Sequence, residues 1–423
     1  MNLFKSMIML LSILLLVSCT NSSLVSDNNP PSSEDVDQRD TIEFWHTYSD
    51  IETKVFEEHI LPLFEQEYPN IKIHATRLDY TDQLKNNILA SVADNKQPDV
   101  MRIDIKWVPE LAKYGVLAEL SELEDFNQLK ERFIGFLLST NEYHGKYYGL
   151  PVNATTKAAV YNLKLLKEAG LSEPPSTFDE LIQAVKYLQT KHSDVYGIGI
   201  CCTEGWGTLP YFWTLGGNLT DDKFTKTDGY LNSEASIRAI TTLKMWYDQR
   251  IIGPSILRGE PGNWDGVLKG KLLMIDEAHW FHIVNSTGDN KDLLKDTIIA
   301  KFPSGVRAGT SIIGGENLIM FKDSKQREQA WTFMKWMMTE QPQKILAETG
   351  LIPTIKDVVN NNPMFTPYLE QLNNALPRPP VSVWDDMDKV YTRMMERILT
   401  NEQPIKAAID EAVLKIDAML LNQ

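Results

Sequence analysis

The chain has 423 residues, of which 43% are apolar and 23% are charged. This length suits two or three domains with a sizeable core, and the composition excludes a disordered or fibrous protein. A formal net charge of −15 and a pI near 5.0 argue against a nucleic-acid partner, which would need a basic face.

The N-terminus has the pattern of a bacterial export signal. Lys5 precedes an apolar run over residues 7–17, which is about half of the ~20 residues that a membrane-spanning helix needs. The run ends in Leu16-Val17-Ser18-Cys19, which resembles the lipobox of bacterial lipoproteins. We therefore expect a signal peptide over residues 1–18 and a diacylglycerol on Cys19. An ordinary secretory peptide with an incidental cysteine is the alternative.

The next segment, residues 19–40, consists mostly of Ser, Asn, Asp and Pro. Such a segment cannot bury enough apolar surface to fold. We expect a flexible tether that spans roughly 25 Å on random-coil dimensions. A lipid, a tether and a large folded body together predict a protein held on the outer face of a membrane.

Strands and helices are predicted to alternate from residue 41 onward. Apolar alternation predicts strands over residues 41–46, 71–75 and 100–103. Helical spacing predicts helices over residues 51–64 and 84–92, the first of them kinked or split at Pro62. This order predicts an α/β lobe with a largely parallel sheet.

The alternation restarts in the middle of the chain. Its clearest signal is Thr177-Phe178-Asp179-Glu180, a capping box that opens an amphipathic helix. Strands are predicted over residues 160–161, 196–202, 271–276, 297–300 and 318–321. Helices are predicted over residues 163–169, 177–188, 235–247, 327–346, 387–399 and 405–421.

Five groups of residues resemble, in order, the extracellular solute-binding proteins of ATP-binding-cassette (ABC) sugar importers. That group contains the maltodextrin-binding and glycerol-phosphate-binding proteins. The residues are Pro69-Asn70-Ile71-Lys72-Ile73; Pro98-Asp99-Val100-Met101 with Leu111-Ala112-Lys113-Tyr114-Gly115; Gly145-Lys146-Tyr147-Tyr148-Gly149-Leu150-Pro151 with Tyr161-Asn162-Leu163-Lys164-Leu165-Leu166; Gly270-Lys271-Leu272-Leu273-Met274 with Trp280; and Gly314-Gly315-Glu316-Asn317.

The resemblance implies a two-lobed α/β fold of the class II periplasmic-binding-protein type, with a hinge and a ligand cleft between the lobes. The chain would cross near residues 148–153, 302–305 and 351–354, where Pro151, Pro303 and Pro353 suit extended connections. The N-terminal lobe would comprise residues 41–151 and 306–352. The C-terminal lobe would comprise residues 152–305 and 353–423.

A sugar site needs aromatic platforms for the ring faces, and carboxylates and amides for the hydroxyls. Polar and aromatic residues follow several predicted strands, where open α/β sheets bind their ligands. The candidate ligand-binding residues, some of them chosen from the resemblance, are Trp45, Tyr48, Asp79, Tyr80, Asp104, Trp107, Asn153, Trp206, Trp213, Trp264, Trp280, Gly315, Glu316 and Arg378.

Several of these residues also have plain structural explanations. Asp104 could cap the following helix, and the Gly314-Gly315 pair could form a tight turn into the strand at residue 318. Arg378 could contact a hydroxyl or a phosphate, or form a structural ion pair. Trp384 is a weaker cleft candidate. Three helical tryptophans with apolar neighbours are expected in the core: Trp246, Trp331 and Trp336.

Two alternative functions compete with a sugar receptor. An exported glycosidase would need a pair of carboxylates, and no particular pair is specified by the sequence. An adhesin or structural lipoprotein would leave the loop aromatics unexplained. A metal site at His279 and His282 lacks a third ligand motif, and the adjacent Cys201 and Cys202 could bridge only in a strained ring.

The sequence therefore predicts a receptor that is anchored to the bacterial cell membrane and faces away from the cytoplasm. It would capture a carbohydrate by hinge closure and deliver it to the ABC permease, and a di- or oligosaccharide is the favoured ligand. We expect a monomer that performs no chemistry and uses no cofactor or metal. Glycerol phosphate or another non-sugar solute is the alternative ligand.

Overall fold

The structure, a computed structural model, describes residues 39–81 and 83–422. The predicted signal peptide, the lipidation site at Cys19 and nearly all of the predicted tether lie outside the described residues. None of the helices described is both long enough and apolar enough to span a bilayer.

Among the described residues, the chain forms twelve strands. In chain order they are β1 (Asp40–His46), β2 (Ile71–Arg77), β3 (Val100–Asp104), β4 (Glu142–Tyr143), β5 (Lys146–Tyr147), β6 (Gly149–Thr156), β7 (Ala158–Asn162), β8 (Tyr196–Gly199), β9 (Leu272–Glu277), β10 (Thr297–Ala300), β11 (Ser311–Met320) and β12 (Ala375–Leu376).

The described residues also contain eighteen α-helices. They are α1 (Asp50–Val55), α2 (Leu61–Glu67), α3 (Leu84–Ala93), α4 (Val108–Lys113), α5 (Phe126–Lys130), α6 (Gly135–Leu138), α7 (Leu163–Glu168), α8 (Phe178–Gln189), α9 (Gly205–Thr214), α10 (Glu234–Asp248), α11 (Asn263–Leu268), α12 (Trp280–Asn285), α13 (Lys291–Leu294), α14 (Arg327–Met337), α15 (Glu340–Ala347), α16 (Thr366–Leu372), α17 (Trp384–Leu399) and α18 (Ile405–Leu420).

The strands form two larger sheets and one short hairpin. The first sheet has the order β12-β11-β3-β1-β2, with β6 also paired to β11, and the second has the order β10-β7-β9-β8. In the first sheet β1 is parallel to β2 and β3, whereas β11 is antiparallel to β3 and β6. The predicted parallel pairing therefore holds for β2, β1 and β3 and again between β11 and β12. It fails where β11, which follows the second sheet in the chain, pairs antiparallel with β3 and β6.

Most predicted elements lie where their apolar periodicity placed them. In α8, Thr177 accepts a hydrogen bond from the Glu180 backbone at 3.1 Å, as the capping box predicts. The helix predicted to be split at Pro62 is interrupted by a π-helical stretch over Phe56–Ile60, after which α2 begins. The helix predicted over residues 327–346 is two helices, α14 and α15.

Two separate groups of buried side chains form the main cores. One lies on the first sheet and joins β1 to α2, α14 and α15 through residues such as Phe44 and Phe333. The other lies on the second sheet and joins β7 to α8, α9, α10, α17 and α18. It includes Trp246, while Trp331 and Trp336 lie in the first, so all three tryptophans are buried as predicted.

The chain passes between the sheets at two connections. Lys157 alone separates β6 in the first sheet from β7 in the second, and residues 301–310 lead back from β10 to β11. Between α15 and α16, Ile352 bridges to Ala154 of β6. The lobe limits given above stay predictions, and the limit at residue 151 lies inside β6.

Candidate ligand-binding cavity

A cavity of about 790 Å³ lies between groups that project from the two sheets. One wall follows β1 and β3, and the other contains the first turn of α9 and the segment after β9. We call it the main cavity. Eight of the predicted residues line it: Tyr48, Tyr80, Asp104, Trp206, Trp280, Gly315, Glu316 and Arg378.

A buried arginine organises the first wall. Arg102 of β3 is 1% exposed, and its Nη2 donates to Glu316 Oε2 at 2.7 Å and to Asn153 Oδ1 at 3.1 Å. Its Nη1 donates to Thr47 Oγ1 at 3.0 Å, and its Cζ lies 4.1 Å from the centre of the Tyr48 ring. These contacts satisfy a charge that would otherwise be costly to bury.

Glu316 lines the main cavity, and hydrogen bonds hold its carboxylate in place. Asn153 Nδ2 donates to its Oε2 at 2.6 Å, the atom that also accepts from Arg102. The Oε1 atom accepts no hydrogen bond from the part of the chain that the structure describes. Burial raises the pKa of Glu316, and this outweighs the positive charge of Arg102. One carboxylate oxygen is thus available to a ligand hydroxyl.

The two glycines before Glu316, Gly314 and Gly315, let β11 pack closely against β6 and α9. They do not form the tight turn considered above, because both lie inside β11. A Cβ on Gly315 would lie 2.3 Å from the Asn153 carbonyl oxygen, and Gly315 has φ +131, so neither space nor backbone admits a side chain. A Cβ on Gly314 would lie 3.1 Å from the Trp206 ring. The strand register shifts directly after Glu316.

A second polar cluster centres on Asp104, at the end of β3. Its Oδ2 accepts from Tyr80 Oη at 2.7 Å, and its Oδ1 accepts from Arg378 Nη2 at 3.1 Å and from the Lys106 backbone at 2.9 Å. Burial raises the pKa of Asp104, but the charges of Arg378 and Lys106 outweigh burial and lower it. Asp104 therefore caps the following turn and also lines the cavity. Trp107 supports the cluster by stacking on Tyr80 with ring centres 5.5 Å apart.

The opposite wall presents two indoles. The rings of Trp206 and Trp280 stack with centres 6.1 Å apart and an interplanar angle of 29°. Trp280 Nε1 donates to Glu277 Oε1 at 2.9 Å, which fixes the orientation of that ring. Lys157 Nζ donates to the Trp206 carbonyl at 2.9 Å and lies 5.2 Å from its ring centre. This wall is a fixed apolar surface with polar groups at its edge.

A buried ion pair lies behind the indoles. Lys157 and Asp276 are each 1% exposed and form a salt bridge, and Tyr211 Oη donates to Asp276 Oδ1 at 2.8 Å. Burial raises the pKa of Asp276 to about 6, although the charge of Lys157 acts in the opposite direction. Because Lys157 joins β6 to β7, this pair anchors the connection between the two sheets beside Trp206.

Glu52 and His279 meet at the cavity, and sequence reasoning missed both as site residues. His279 Nε2 lies 3.7 Å from Glu52 Oε1. Burial raises the pKa of Glu52, but the contact with His279 and the charge of Arg102 outweigh burial and hold it at about 2. Ser49 and Glu52 form a capping box for α1, a signal that was present in the sequence. Arg102 was also missed. The available signal was a charged residue inside an otherwise apolar predicted strand.

Six predicted residues do not line the main cavity. Asn153 and Trp107 lie directly behind the lining residues that they contact. Asp79 is exposed and lies 3.8 Å from Arg77. Trp45 packs against the helices beside β3. Two tryptophans expected in loops lie in helices instead, Trp213 in α9 and Trp264 in α11.

The helical environment explains where those two side chains point. Helix α9 is buried along nearly its whole length, so Trp213, 5% exposed, packs in the second core. Trp264 Nε1 donates to Glu277 Oε2 at 2.8 Å and faces a different cavity. The weaker candidate Trp384 is 3% exposed and also belongs to the second core. Within the described residues no cluster of three or more His, Cys, Asp or Glu side chains could hold a metal ion.

Known proteins share both the sequence pattern and the fold. A family model for bacterial extracellular solute-binding proteins matches residues 62–369. The maltotriose-binding protein of Pyrococcus abyssi is 25% identical over 402 residues, which are 85% of this chain and 82% of that protein.

Two solved structures show the same two-lobed architecture. The GacH receptor of Streptomyces glaucescens was solved both unliganded and in complex with acarbose. It superposes with a TM-score of 0.78 at 24% identity, and the match covers 90% of this chain and 98% of the GacH chain. The sugar-binding protein MalE of Xanthomonas citri has a TM-score of 0.77 at 21% identity, with coverage of 90% and 98%. These likenesses confirm the predicted two-lobed α/β fold. The chain belongs to the bacterial extracellular solute-binding protein family.

Proposed function

We propose that this protein is the receptor of an ABC importer and captures a di- or oligosaccharide outside the cell. The observation that carries the proposal is one cavity with stacked indoles on one wall and carboxylate, hydroxyl and guanidinium groups on the other. Sugar ring faces suit the indoles, and sugar hydroxyls suit the polar wall. The names of the maltotriose-binding relative and of the MalE neighbour support the same class of ligand.

The charges around the main cavity favour a neutral ligand over a phosphate-bearing one. Each cationic Arg or Lys side chain that lines the cavity lies near a carboxylate. The pairs are Arg77 with Asp50 at 2.8 Å, Arg102 with Glu316 at 2.7 Å, Lys106 with Asp385 at 3.8 Å, and Arg378 with Asp104 at 3.1 Å. A phosphate would have to displace these carboxylates, whereas a hydroxyl can bond to them directly.

Capture would proceed by hinge closure without chemistry. A ligand that contacts both walls stabilises the closed arrangement, and it can shift the population only by its extra affinity for that arrangement. The permease would then recognise the closed form. A glycosidase is less well supported, because Asp104 and Glu316 are both engaged by guanidinium groups instead of being left as a free acid and base.

The cellular location rests on the sequence and on family membership. A lipidated Cys19 and the tether over residues 19–40 would hold a monomer on the outer face of the bacterial membrane, beside its permease. Two or more acyl chains on one residue are enough for stable anchoring. We propose no cofactor, metal or nucleic-acid partner.

A titration of the form that begins at Thr20 tests the function. This form keeps the compact unit Arg39–Gln423 and, after denaturation and refolding to remove any bound sugar, is titrated with maltose, maltotriose, diacetylchitobiose and glycerol 3-phosphate. A ligand at 100 times its Kd adds about 2.7 kcal/mol of stability, which a thermal melt detects. Saturable binding of a saccharide is the expected result. Binding of glycerol 3-phosphate alone, or of no compound in a wider saccharide panel, would overturn the proposal.

A further inference from the structure

A second cavity of about 510 Å³ lies beside the main cavity, and we call it the side cavity. It falls within the volume range of small-molecule sites. Its lining includes a hydroxyl, an amide, an indole, a carboxylate, a guanidinium and a thiol, from Ser255, Asn263, Trp264, Glu277, Arg258 and Cys201. This mixture of hydrogen-bonding groups and one aromatic ring is suited to a hydroxyl-rich ligand.

Buried polar groups of the side cavity lack partners. Ser255 is 3% exposed and Asn263 is 8% exposed. Within the described part of the chain, neither Ser255 Oγ nor the side-chain nitrogen and oxygen of Asn263 has a hydrogen-bond partner. Polar groups buried in this way destabilise a protein unless something bonds to them. A ligand hydroxyl could both donate to and accept from the Asn263 amide.

The side cavity and the main cavity share a wall. The Glu277 carboxylate accepts from Trp264 on the side-cavity face at 2.8 Å, and from Trp280 on the main-cavity face at 2.9 Å. At the rim, Arg258 Nη2 of the side cavity lies 3.7 Å from Glu204 Oε1 of the main cavity. The Glu277 carboxylate and the exposed Arg258–Glu204 ion pair thus link the linings of the two cavities.

We propose that the side cavity is an additional carbohydrate subsite, which takes the end of an oligosaccharide whose other residues occupy the main cavity. The inference rests on the proposed function and extends it, because it selects oligosaccharides too long for the main cavity alone. The end residue would pass the rim at Arg258 and bond to Asn263 and Ser255. Short saccharides would bind without reaching this subsite.

Saccharide length separates this subsite from the main cavity in an experiment. Calorimetric titrations of the form beginning at Thr20 use maltodextrins and chito-oligosaccharides of two to six units. Asn263→Ala and Arg258→Ala are compared with Arg238→Ala, an exposed control on α10 that lines neither cavity. The two test variants should raise the Kd of the longest saccharide that binds about five- to tenfold, and leave the Kd of the shortest saccharide that binds unchanged. Arg258 is 82% exposed in its side chain, so Arg258→Ala should fold normally.

Thiol protection gives a second readout. After Cys202→Ser, Cys201 is the single thiol of the form beginning at Thr20, and it lines the side cavity. The longest bound saccharide should slow its alkylation by iodoacetamide, and the shortest should not. Equal effects of the variants at every length, or equal alkylation with both saccharides, would overturn the subsite alone. If no saccharide binds the parent protein, the proposed function fails and the subsite fails with it.

Discussion

Replacing Trp280 by alanine removes one of the two indoles that face the main cavity. If a sugar ring covers about 50 Å² of this indole, burial at about 25 cal/mol per Å² contributes about 1.2 kcal/mol. The aromatic contact itself adds about 0.5 to 1.5 kcal/mol. We therefore expect Trp280→Ala to weaken saccharide binding by about 2 kcal/mol, or about 30-fold in Kd.

The same substitution should leave the fold intact. Trp280 is partly exposed, and Glu277 keeps its hydrogen bonds from Trp264 Nε1 and from the Ala278 backbone. Calorimetry measures the Kd, and a thermal melt without sugar checks the fold. Trp280→Phe should recover most of the affinity, because it keeps an aromatic ring.

Trp331 provides the matched control for this prediction. It is 7% exposed and lies on α14 in the first core, so Trp331→Phe should leave the Kd unchanged. A Kd for Trp280→Ala within about twofold of the parent value, in a protein that melts normally, would remove Trp280 from the binding site.

Three further predictions concern stability and anchoring. The pKa of Glu52 falls from 4.5 to about 2 on folding, so its contribution of about 3 kcal/mol is present above pH 4.5 and is lost as the pH falls toward 2. Between pH 6 and pH 3, the free energy of unfolding measured in urea should fall less for Glu52→Gln than for the parent. An equal fall in both proteins would contradict this assignment. Lys157→Met leaves Asp276 buried without its partner, so unfolding in urea at pH 7 should show a loss of about 3 to 5 kcal/mol. Lys157→Met with Asp276→Leu should lose less, and no difference between single and double variants would count against the pair. Cys19→Ser should abolish incorporation of labelled palmitate, and continued labelling would refute the lipobox.

Local patterns in the sequence were sufficient to locate most of the fold. The capping box at Thr177 and the apolar spacing behind it depend only on residues within a few turns, so α8 could be predicted. The direction of β11 could not. It depends on pairing with β3, more than two hundred residues earlier in the chain, and no local signal reports that pairing.

The cavity was only partly predictable for the same reason. Asp104 ends β3 and Tyr80 follows β2, and residues at the carboxyl ends of strands gather at one edge of a sheet. Arg102 and Glu316 meet across 214 positions in sequence, so their ion pair could not be inferred from either segment. Trp206 and Trp213 both belong to α9, but Trp206 lies in its first turn at the main cavity, whereas Trp213 lies in its last turn and is packed in the second core.

The sequence by itself determined the alternation of strands and helices and the family to which the folded body belongs, and it predicts the export signal. Each of these can be inferred from local periodicity or short motifs, without knowledge of any tertiary contact. Only the tertiary structure decided which tryptophans face the main cavity and that its arginines are already paired with carboxylates. Those properties depend on side chains brought together from distant segments, and side-chain packing determines which of them meet.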